Sequence, residues 1–317
     1  MSVAVVIVAA GRHGHLRRTL SALQRQARVP DEVIVVDIGS EPGLASEVRR
    51  SGGDGARCLQ LDHQAGSPLP LARARNLGGA ASATADLVFL DVDCVPERGL
   101  VGSYVDALRA APHALVCGPV RYLVEDWDVG IDGSDVAIAD AMLSSRSQPH
   151  PVRPVAPASG VRFGDDHHLF WSLSFAVRRR TWEQLSGFDS GYEGYGAEDT
   201  DLALRAKALG VPMAWSSGGT AYHQWHAGAA RSPSDRGDRR QRPPLPGAMG
   251  VVADGRLAER ACRSRARPVR AAGQQGRTGA TTSRSRCDRF VCVTTGVPFP
   301  DGCGNRRSSR RCAPRRR

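Results

Sequence analysis

The sequence has very little lysine and no apolar run long enough to cross a membrane. Lys207 is its single lysine, whereas arginine is abundant. The longest early apolar run, Val3 to Ala10, is too short for a bilayer and has neither a basic region before it nor a cleavage site after it. We therefore expect no transmembrane segment and no signal peptide, and a cytoplasmic protein or one held peripherally at the inner face of the membrane.

Closely spaced cysteines are also missing from the first 230 residues. Cys58, Cys94 and Cys117 are widely scattered there and form no Cys-x-x-Cys pair. Zinc sites and disulfide frameworks normally need cysteines in such sets. We therefore expect neither kind of site in this part of the chain.

The positive charge of the protein lies almost entirely at its C-terminal end. The net charge is +11, yet residues 231–317 alone hold 22 arginines and 6 acidic residues, which leaves the first 230 residues with an excess of acid. The last segment is rich in Arg, Gly, Ala, Ser and Pro and shows no periodicity, which is typical of a chain that buries no core. The sequence thus predicts one domain over residues 1–228 and a disordered Arg-rich tail over residues 229–317.

A strand-and-helix alternation occupies the first hundred residues. Val3–Val8 and Val33–Val36 are β-branched runs, and between them Leu16, Leu20 and Leu23 recur at helical spacing. An Ala-rich helix over residues 73–83 leads to another strand. Such an alternation implies right-handed crossovers, so we expect an α/β, Rossmann-like fold with a mostly parallel central sheet and flanking helices.

Two aspartates stand at the end of the strand that starts at Asp86. A period of two places Leu87, Phe89, Asp91 and Asp93 on one face, and Pro96 is expected to end the strand. Open α/β sheets bind ligands beyond the carboxyl ends of their strands, and two carboxylates there suit a divalent cation carrying phosphate oxygens. The alternative is a strand that simply ends in an acidic turn.

Three further acids follow a Gly-rich loop at residues 191–197. Glu198, Asp199 and Asp201 occupy the first turn of a predicted helix, where acids also serve merely to complement the helix dipole. Glu198 and Asp199 precede Leu202 by four and three residues and can lean towards the sheet. A carboxylate held there is a candidate general base for a sugar hydroxyl.

Histidines form the last group of candidates. His223 and His226 could complete an octahedral site begun by Asp93, and a mixed nitrogen and oxygen set suits Mn²⁺ somewhat better than Mg²⁺. The alternative is that both are packed histidines without a ligand. Four others are assigned to loops and expected to be solvated: His13, His15, His167 and His168.

Taken together, these segments resemble the inverting family 2 glycosyltransferases of GT-A fold, particularly those with a galactosyltransferase-like C-terminal half. The resemblance covers roughly residues 1–228. The matching segments are Val3–Ala10, Asp31–Ser40, Ala74–Gly78, Phe89–Asp93, Gly187–Asp189, Gly194–Leu202 and Ala221–Gln224.

The resemblance implies roles for the nucleotide and metal residues. Asp37 and Arg75 would help to hold the nucleotide of the donor, for which a UDP-sugar is expected, and Asp91 would contact the ribose or the metal. Asp93 would be the principal metal ligand, with His223 or His226 beside it. The implied cofactor is a divalent metal, Mn²⁺ or Mg²⁺.

The resemblance also implies the chemistry. Asp199 would deprotonate the acceptor hydroxyl of a glycan, lipid or small molecule, and Glu198 would contact the acceptor or the donor sugar, which gives single displacement with inversion. Two departures stand out. Ile38 follows Asp37 where many relatives have paired acids, and Tyr195-Gly196-Ala197 replaces a common Trp-Gly-Gly.

The tail departs further from the resemblance, because related chains continue into a Trp-Gly-x-Trp-Pro-Met-like run. The segment Met249–Gly255 can be encoded so that a shift of one base yields Trp-Gly-Trp-Trp-Pro-Met. We therefore hypothesise a frameshift between about His226 and Arg240, which the genomic nucleotide sequence tests.

Other functions fit the sequence less well. A sugar-nucleotide nucleotidyltransferase has a similar fold start, faintly matched by Ala9–Arg12, but usually places a lysine near the phosphates, and Lys207 lies inside the last helix. The basic tail could bind nucleic acid non-specifically and with strong salt dependence, but it lacks interleaved aromatic residues. A third alternative is an inactive, frameshifted remnant.

Overall fold

The structure, a computed structural model, describes residues 1–128 and 140–226. Its strands are β1 (Val3–Ala9), β2 (Glu32–Ile38), β3 (Ala56–Leu61), β4 (Asp86–Asp91), β5 (Cys94–Pro96), β6 (Leu115–Cys117), β7 (Val120–Leu123), β8 (Ser147–Pro149), β9 (Val161–Gly164), β10 (Ser174–Arg178), β11 (Met213–Ser216) and β12 (Ala221–His223). Its helices are α1 (His13–Leu23), α2 (Ala45–Ser51), α3 (Leu71–Ala81), α4 (Leu100–Ala110), α5 (Asp140–Ser145), α6 (Arg179–Leu185) and α7 (Glu198–Ala208).

The strands form two sheets. The larger has eight strands in the order β3-β2-β1-β4-β10-β6-β11-β9 and the smaller has four in the order β5-β12-β7-β8. Strands β3, β2, β1 and β4 are parallel, whereas β10 runs antiparallel to both of its neighbours and β9 is antiparallel to β11. The predicted α/β fold is confirmed, with a parallel half and a mixed half in the central sheet.

Alternation along the central strands directs side chains to two cores. Val3, Val5 and Ile7 pack with the leucines of α1 and with α2 and α4 on one face. Ala4 and Val6 lie on the other face, in contact with apolar residues of α3, α6 and α7. Each fully buried Leu or Val stabilises the fold by about 1.5–3 kcal/mol, so both faces of the sheet must be covered.

The strand order places a crevice at the carboxyl ends of β1 and β4. The chain runs from β1 outward through β2 to β3, and then returns to the other side of β1 to form β4. This is the point where the strand order reverses and where open α/β sheets leave room for a ligand. Registered pairs bring Ala9 beside Asp37 and Val8 beside Asp91 at this edge.

One local prediction was wrong. The acidic strand ends at Asp91, not at Pro96, because the chain turns at Val92 and Asp93 and then enters the small sheet as β5. Between β7 and β10, the described chain contains α5, β8, β9 and a 3-10 helix, His167–Leu169. Phe170 to Leu173 then connect this 3-10 helix to β10, which begins at Ser174.

The prediction that His13, His15 and His167 are solvated in loops was also wrong. His167 is buried, and its Nε2 lies 3.2 Å from the carbonyl oxygen of Val211. His13 and His15 both lie within α1, where His15 is half-buried and the Nε2 of His13 is buried. Residues 1–128 and 140–226 contain no helix with the length and apolar character needed to cross a membrane. The predicted tail, its boundary near residue 228 and the hypothesised frameshift concern residues outside the described ranges.

Candidate active site

Asp93 lies in a turn that is held from two sides. The backbone amide of Gln224 donates to the carbonyl oxygen of Asp93 at 2.7 Å, and the hydroxyl of Thr19 donates to the carbonyl oxygen of Val92 at 3.0 Å. Helix α1 and the end of β12 therefore fix the backbone of the acidic turn. A carboxylate on a turn held in this way has a defined direction.

Two histidines meet this carboxylate because β12 pairs antiparallel with β5, which places His223 opposite Cys94. His223 Nε2 lies 3.4 Å from Asp93 Oδ1, and His226 Nε2 lies 3.2 Å from Asp93 Oδ2. One potential ligand atom from each residue falls within a group no more than 4.8 Å across. The structure thus brings together the three residues proposed from the sequence as a metal site.

The donor set fits a divalent cation. Burial acts to raise the pKa of Asp93, but the hydrogen bond from His226 and the nearby His223 and Arg12 outweigh it and lower that pKa below its usual value. A lowered pKa keeps the carboxylate ionised, as a metal ligand must be. One carboxylate and two imidazoles suit Mn²⁺ and related ions.

Arg12 also reaches this cluster, although it is not among the predicted site residues. Its Nη1 lies 3.5 Å from Asp93 Oδ2, and its Nη2 lies 3.5 Å from His226 Nδ1. Its backbone is left-handed, with φ of 58°, an uncommon conformation for a residue other than glycine. The ring of His15 lies 6.0 Å from that of His226, and burial, followed by the charge of Arg12, lowers the pKa of His15.

Arg75 joins the acidic strand to the acidic helix. Its Nη2 lies 3.1 Å from Asp91 Oδ1 and its Nη1 lies 3.1 Å from Glu198 Oε1. Helix α3 can approach the sheet closely at Gly78, where an added Cβ would lie 2.3 Å from Val6 Cγ1. Arg75 is only 6% exposed, so this bridge is part of the floor of the site.

Asp37 is fully buried, and its carboxylate is hydrogen-bonded to groups of the protein itself. Its carboxylate accepts hydrogen bonds from the backbone amides of Ser40 at 3.1 Å and Leu44 at 2.9 Å, and from Gln60 Nε2 at 3.1 Å. Ser40 Oγ in turn accepts from the amide of Gly11 at 2.7 Å. Asp37 therefore orders the two loops that follow β1 and β2, and the structure does not bring it to Asp93.

Glu198 and Asp199 lie at the start of α7. Ala197 precedes them with φ of 70°, a strained conformation that redirects the chain from the Gly-rich loop into the helix. Glu198 is buried, and its Oε2 has no hydrogen-bond partner among the described residues. Asp201 points elsewhere, because its carboxylate accepts from Arg205 Nε at 2.7 Å.

Asp199 is positioned by two backbone amides. Its Oδ1 accepts from Thr200 at 2.8 Å and its Oδ2 accepts from Ser172 at 3.4 Å. Burial, followed by the negative charge of Glu198, raises the pKa of Asp199 above its usual value. A carboxylate with a raised pKa is a better proton acceptor near neutral pH than an ordinary aspartate.

A cavity of about 320 Å³ lies beside the carboxylates of Asp91, Glu198 and Asp199. Its lining includes Arg75 and the carboxylates of Asp91, Glu198 and Asp199, together with Tyr195 and three rings that sequence reasoning missed: Tyr122, His150 and Trp171. A larger cavity of about 620 Å³, beside α1 and β5, contains none of these residues.

The α/β fold, with its reversal of strand order at a carboxylate-lined crevice, is of the GT-A type. The structure of GalNAc-T7 with UDP, GalNAc and Mn²⁺ superposes with a TM-score of 0.51 at 15% identity, over 71% of this chain and 44% of that one, which supports the fold. The family model of glycosyltransferase-like family 2 matches residues 3–227, so the chain belongs to that family.

Two curated relatives of the chain are named as glycosyltransferases. Validoxylamine A glucosyltransferase of Streptomyces hygroscopicus subsp. limoneus is 31% identical over 67% of this chain and 49% of its own length. The pre-mycofactocin glycosyltransferase of Mycobacterium tuberculosis (strain CDC 1551 / Oshkosh) is 31% identical over 67% of this chain and 40% of its own length. The chain thus spans half the length of these relatives or less.

Proposed function

We propose that the protein is a metal-dependent inverting glycosyltransferase that moves a sugar from a nucleotide-diphosphate donor, a UDP-sugar, to an acceptor hydroxyl. One observation carries the proposal. A cluster suited to a cation and a carboxylate with a raised pKa are linked by one aromatic side chain, because Tyr122 packs on His223 at 5.0 Å and also lines the cavity of Asp199. A diphosphate and a base are needed at opposite ends of a glycosyl transfer.

Asp93, His223 and His226 would hold the cation. When bound, Mn²⁺ or Mg²⁺ supplies positive charge to the departing diphosphate. Asp91 would orient the ribose or lie beside the cation, with Arg75 fixing its carboxylate. Asp37 would act on the nucleotide through the two loops that it orders.

Asp199 would accept the proton of the acceptor hydroxyl as that oxygen attacks the anomeric carbon of the donor. The bond between the anomeric carbon and the diphosphate oxygen breaks at the same time, and the nucleoside diphosphate leaves from the opposite face with inversion. Glu198, one oxygen of which has no partner among the described residues, would accept a hydrogen bond from a sugar hydroxyl. Holding these groups together removes most of the entropic cost of the encounter.

Donor binding by the full chain tests the proposal. UDP-glucose, UDP-galactose, UDP-N-acetylglucosamine and GDP-mannose are titrated by calorimetry with Mn²⁺ or with EDTA, for the unaltered protein, Asp93→Ala and the control Asp106→Ala. The side chain of Asp106 is 73% exposed and pairs with Arg109 three residues away. We expect binding of one donor that EDTA and Asp93→Ala weaken at least tenfold and Asp106→Ala leaves unchanged. Donor affinity that is changed by neither EDTA nor Asp93→Ala would refute the metal-dependent mechanism.

A further inference from the structure

The second ring nitrogen of His223 is buried and has no hydrogen-bond partner among the residues that the structure describes. Its Nε2 lies 3.4 Å from Asp93 Oδ1, whereas its Nδ1 is the unpartnered atom. Histidines that hold a metal ion almost always donate a hydrogen bond from their other ring nitrogen, and this bond fixes the orientation of the ring. In His223 a different contact has to fix that orientation.

His226, the other histidine of the cation cluster, differs in this respect. Its Nε2 lies 3.2 Å from Asp93 Oδ2, and its Nδ1 lies 3.5 Å from Nη2 of Arg12. Both ring nitrogens of His226 therefore face a polar group. The buried nitrogen without a partner is a property of His223 and not of the cluster as a whole.

Tyr122 is the neighbour that restrains the ring of His223. Strand β12 pairs parallel with β7 in the small sheet, and the register places Tyr122 directly beside His223. Paired strands lie close enough for neighbouring side chains on one face to touch. The two ring centroids are 5.0 Å apart at an interplanar angle of 61°, which is the edge-to-face arrangement that aromatic pairs prefer. This contact limits rotation of the imidazole.

The ring of Tyr122 is itself held in place by a second ring. It stacks on His150 with centroids 5.3 Å apart and an interplanar angle of 30°. His150 is fixed in turn, because its Nδ1 accepts hydrogen bonds from the amides of Val152 at 3.2 Å and Arg153 at 3.1 Å. Tyr122 cannot swing away from His223 without leaving this stack. It therefore gives the imidazole a rigid surface to pack against.

We propose that Tyr122 is a positioning residue for the cation site. Its ring, and not a hydrogen bond, orients the imidazole of His223 so that Nε2 faces the ion beside Asp93. The aromatic ring carries this effect and the phenol hydroxyl does not. The inference rests on the proposed metal-dependent function and extends it to a residue that is not itself a ligand of the ion.

Mn²⁺ binding without donor tests the assignment. Titrations of the full chain, followed by the electron paramagnetic resonance signal of free Mn²⁺, compare the unaltered protein with Tyr122→Phe, Tyr122→Leu and the control Phe163→Leu. Phe163 is 57% exposed on β9, which belongs to the other sheet. Thermal unfolding verifies that each variant is folded. Tyr122→Ile, whose branched side chain suits a strand, provides a second reading if Tyr122→Leu does not fold.

We expect Tyr122→Leu to weaken Mn²⁺ binding about tenfold, which is the lower end of the effects seen for groups that orient metal ligands. Tyr122→Phe, which keeps the ring, should retain the affinity of the unaltered protein, and so should Phe163→Leu. Equal losses in Tyr122→Phe and Tyr122→Leu would overturn the proposal, because the hydroxyl would then carry the effect. An unchanged affinity in Tyr122→Leu would overturn it as well.

A double-variant cycle separates orientation of His223 from a general disturbance of the site. In a His223→Ala background, Tyr122→Leu should cause no further loss of Mn²⁺ affinity, because the ring that Tyr122 orients is gone. A second loss of about tenfold there would overturn the proposal. If the unaltered chain binds no Mn²⁺, the metal-dependent function fails together with this inference. Mn²⁺ binding that Tyr122→Leu does not alter refutes this inference alone.

Discussion

Replacing Arg75 by methionine should destabilise the fold more than any loss of a surface ion pair. Arg75 is 6% exposed and is shared by Asp91, whose side chain is 27% exposed, and Glu198, whose side chain is 5% exposed. Methionine keeps much of the volume but leaves the Glu198 carboxylate buried without its cation. Removing one partner of a buried ion pair costs about 3–5 kcal/mol of unfolding free energy.

A matched control is available at the surface. Arg57 donates to Glu32 at 2.9 Å with side chains 47% and 27% exposed, so Arg57→Met should cost about 1 kcal/mol or less. Urea unfolding at pH 7 measures both variants. Adding Glu198→Gln to Arg75→Met should recover part of the loss, because the buried charge is then gone. If Arg75→Met costs no more than Arg57→Met, the bridge does not support the site as we describe.

Three further perturbations follow from the charges described above. Because burial and Glu198 raise the pKa of Asp199 above the usual 3.8, kcat should fall as pH drops through that raised value. Glu198→Gln should move this acid limb to lower pH, and an unmoved limb would contradict the assignment. Burial acts to raise the pKa of Glu47, but hydrogen bonds from neighbouring arginine and serine side chains outweigh it and lower that pKa from 4.5 to about 2. Glu47→Gln should therefore cost about 3 kcal/mol at pH 7, and this cost should shrink as pH falls from 4.5 towards 2. Urea unfolding at pH 7 and pH 3 measures it, and a cost independent of pH would refute the argument. Arg12→Ala should tighten Mn²⁺ binding about fivefold in calorimetry without donor, because the Arg12 contact with Asp93 no longer has to break. Unchanged or weaker Mn²⁺ binding would contradict that competition.

The central strands were predictable because their side chains are buried on both faces. Val3–Val8 and Val33–Val36 are unbroken apolar runs, and a strand between two layers of helices needs such a run. The small sheet was not predictable from periodicity. Its strands β5, β8 and β12 have three residues each, too few for an alternation to be visible.

The same contrast holds for the site. Asp93, Glu198 and Asp199 stand at the ends of regular elements, so their positions follow from those elements. Arg12 was missed because arginine is not a preferred N-cap residue, and its side chain makes no capping hydrogen bond at the start of α1. Its contact with Asp93 also depends on β1 and β4 being neighbours in the sheet. His150 lies in a Pro-rich stretch whose tertiary position no local pattern encodes.

The pairing of β12 with β5 makes the cation cluster a late product of folding. Asp93 and its histidine partners are separated by more than a hundred residues, and the turn that carries Asp93 is fastened by the amide of Gln224. Contacts between such distant segments form slowly, because a long loop must close before they can stabilise anything. During synthesis, the parallel strands can assemble as soon as β4 is made. The cation site can form only after residue 226 has left the ribosome. The parallel part of the central sheet can therefore form well before the cation site does.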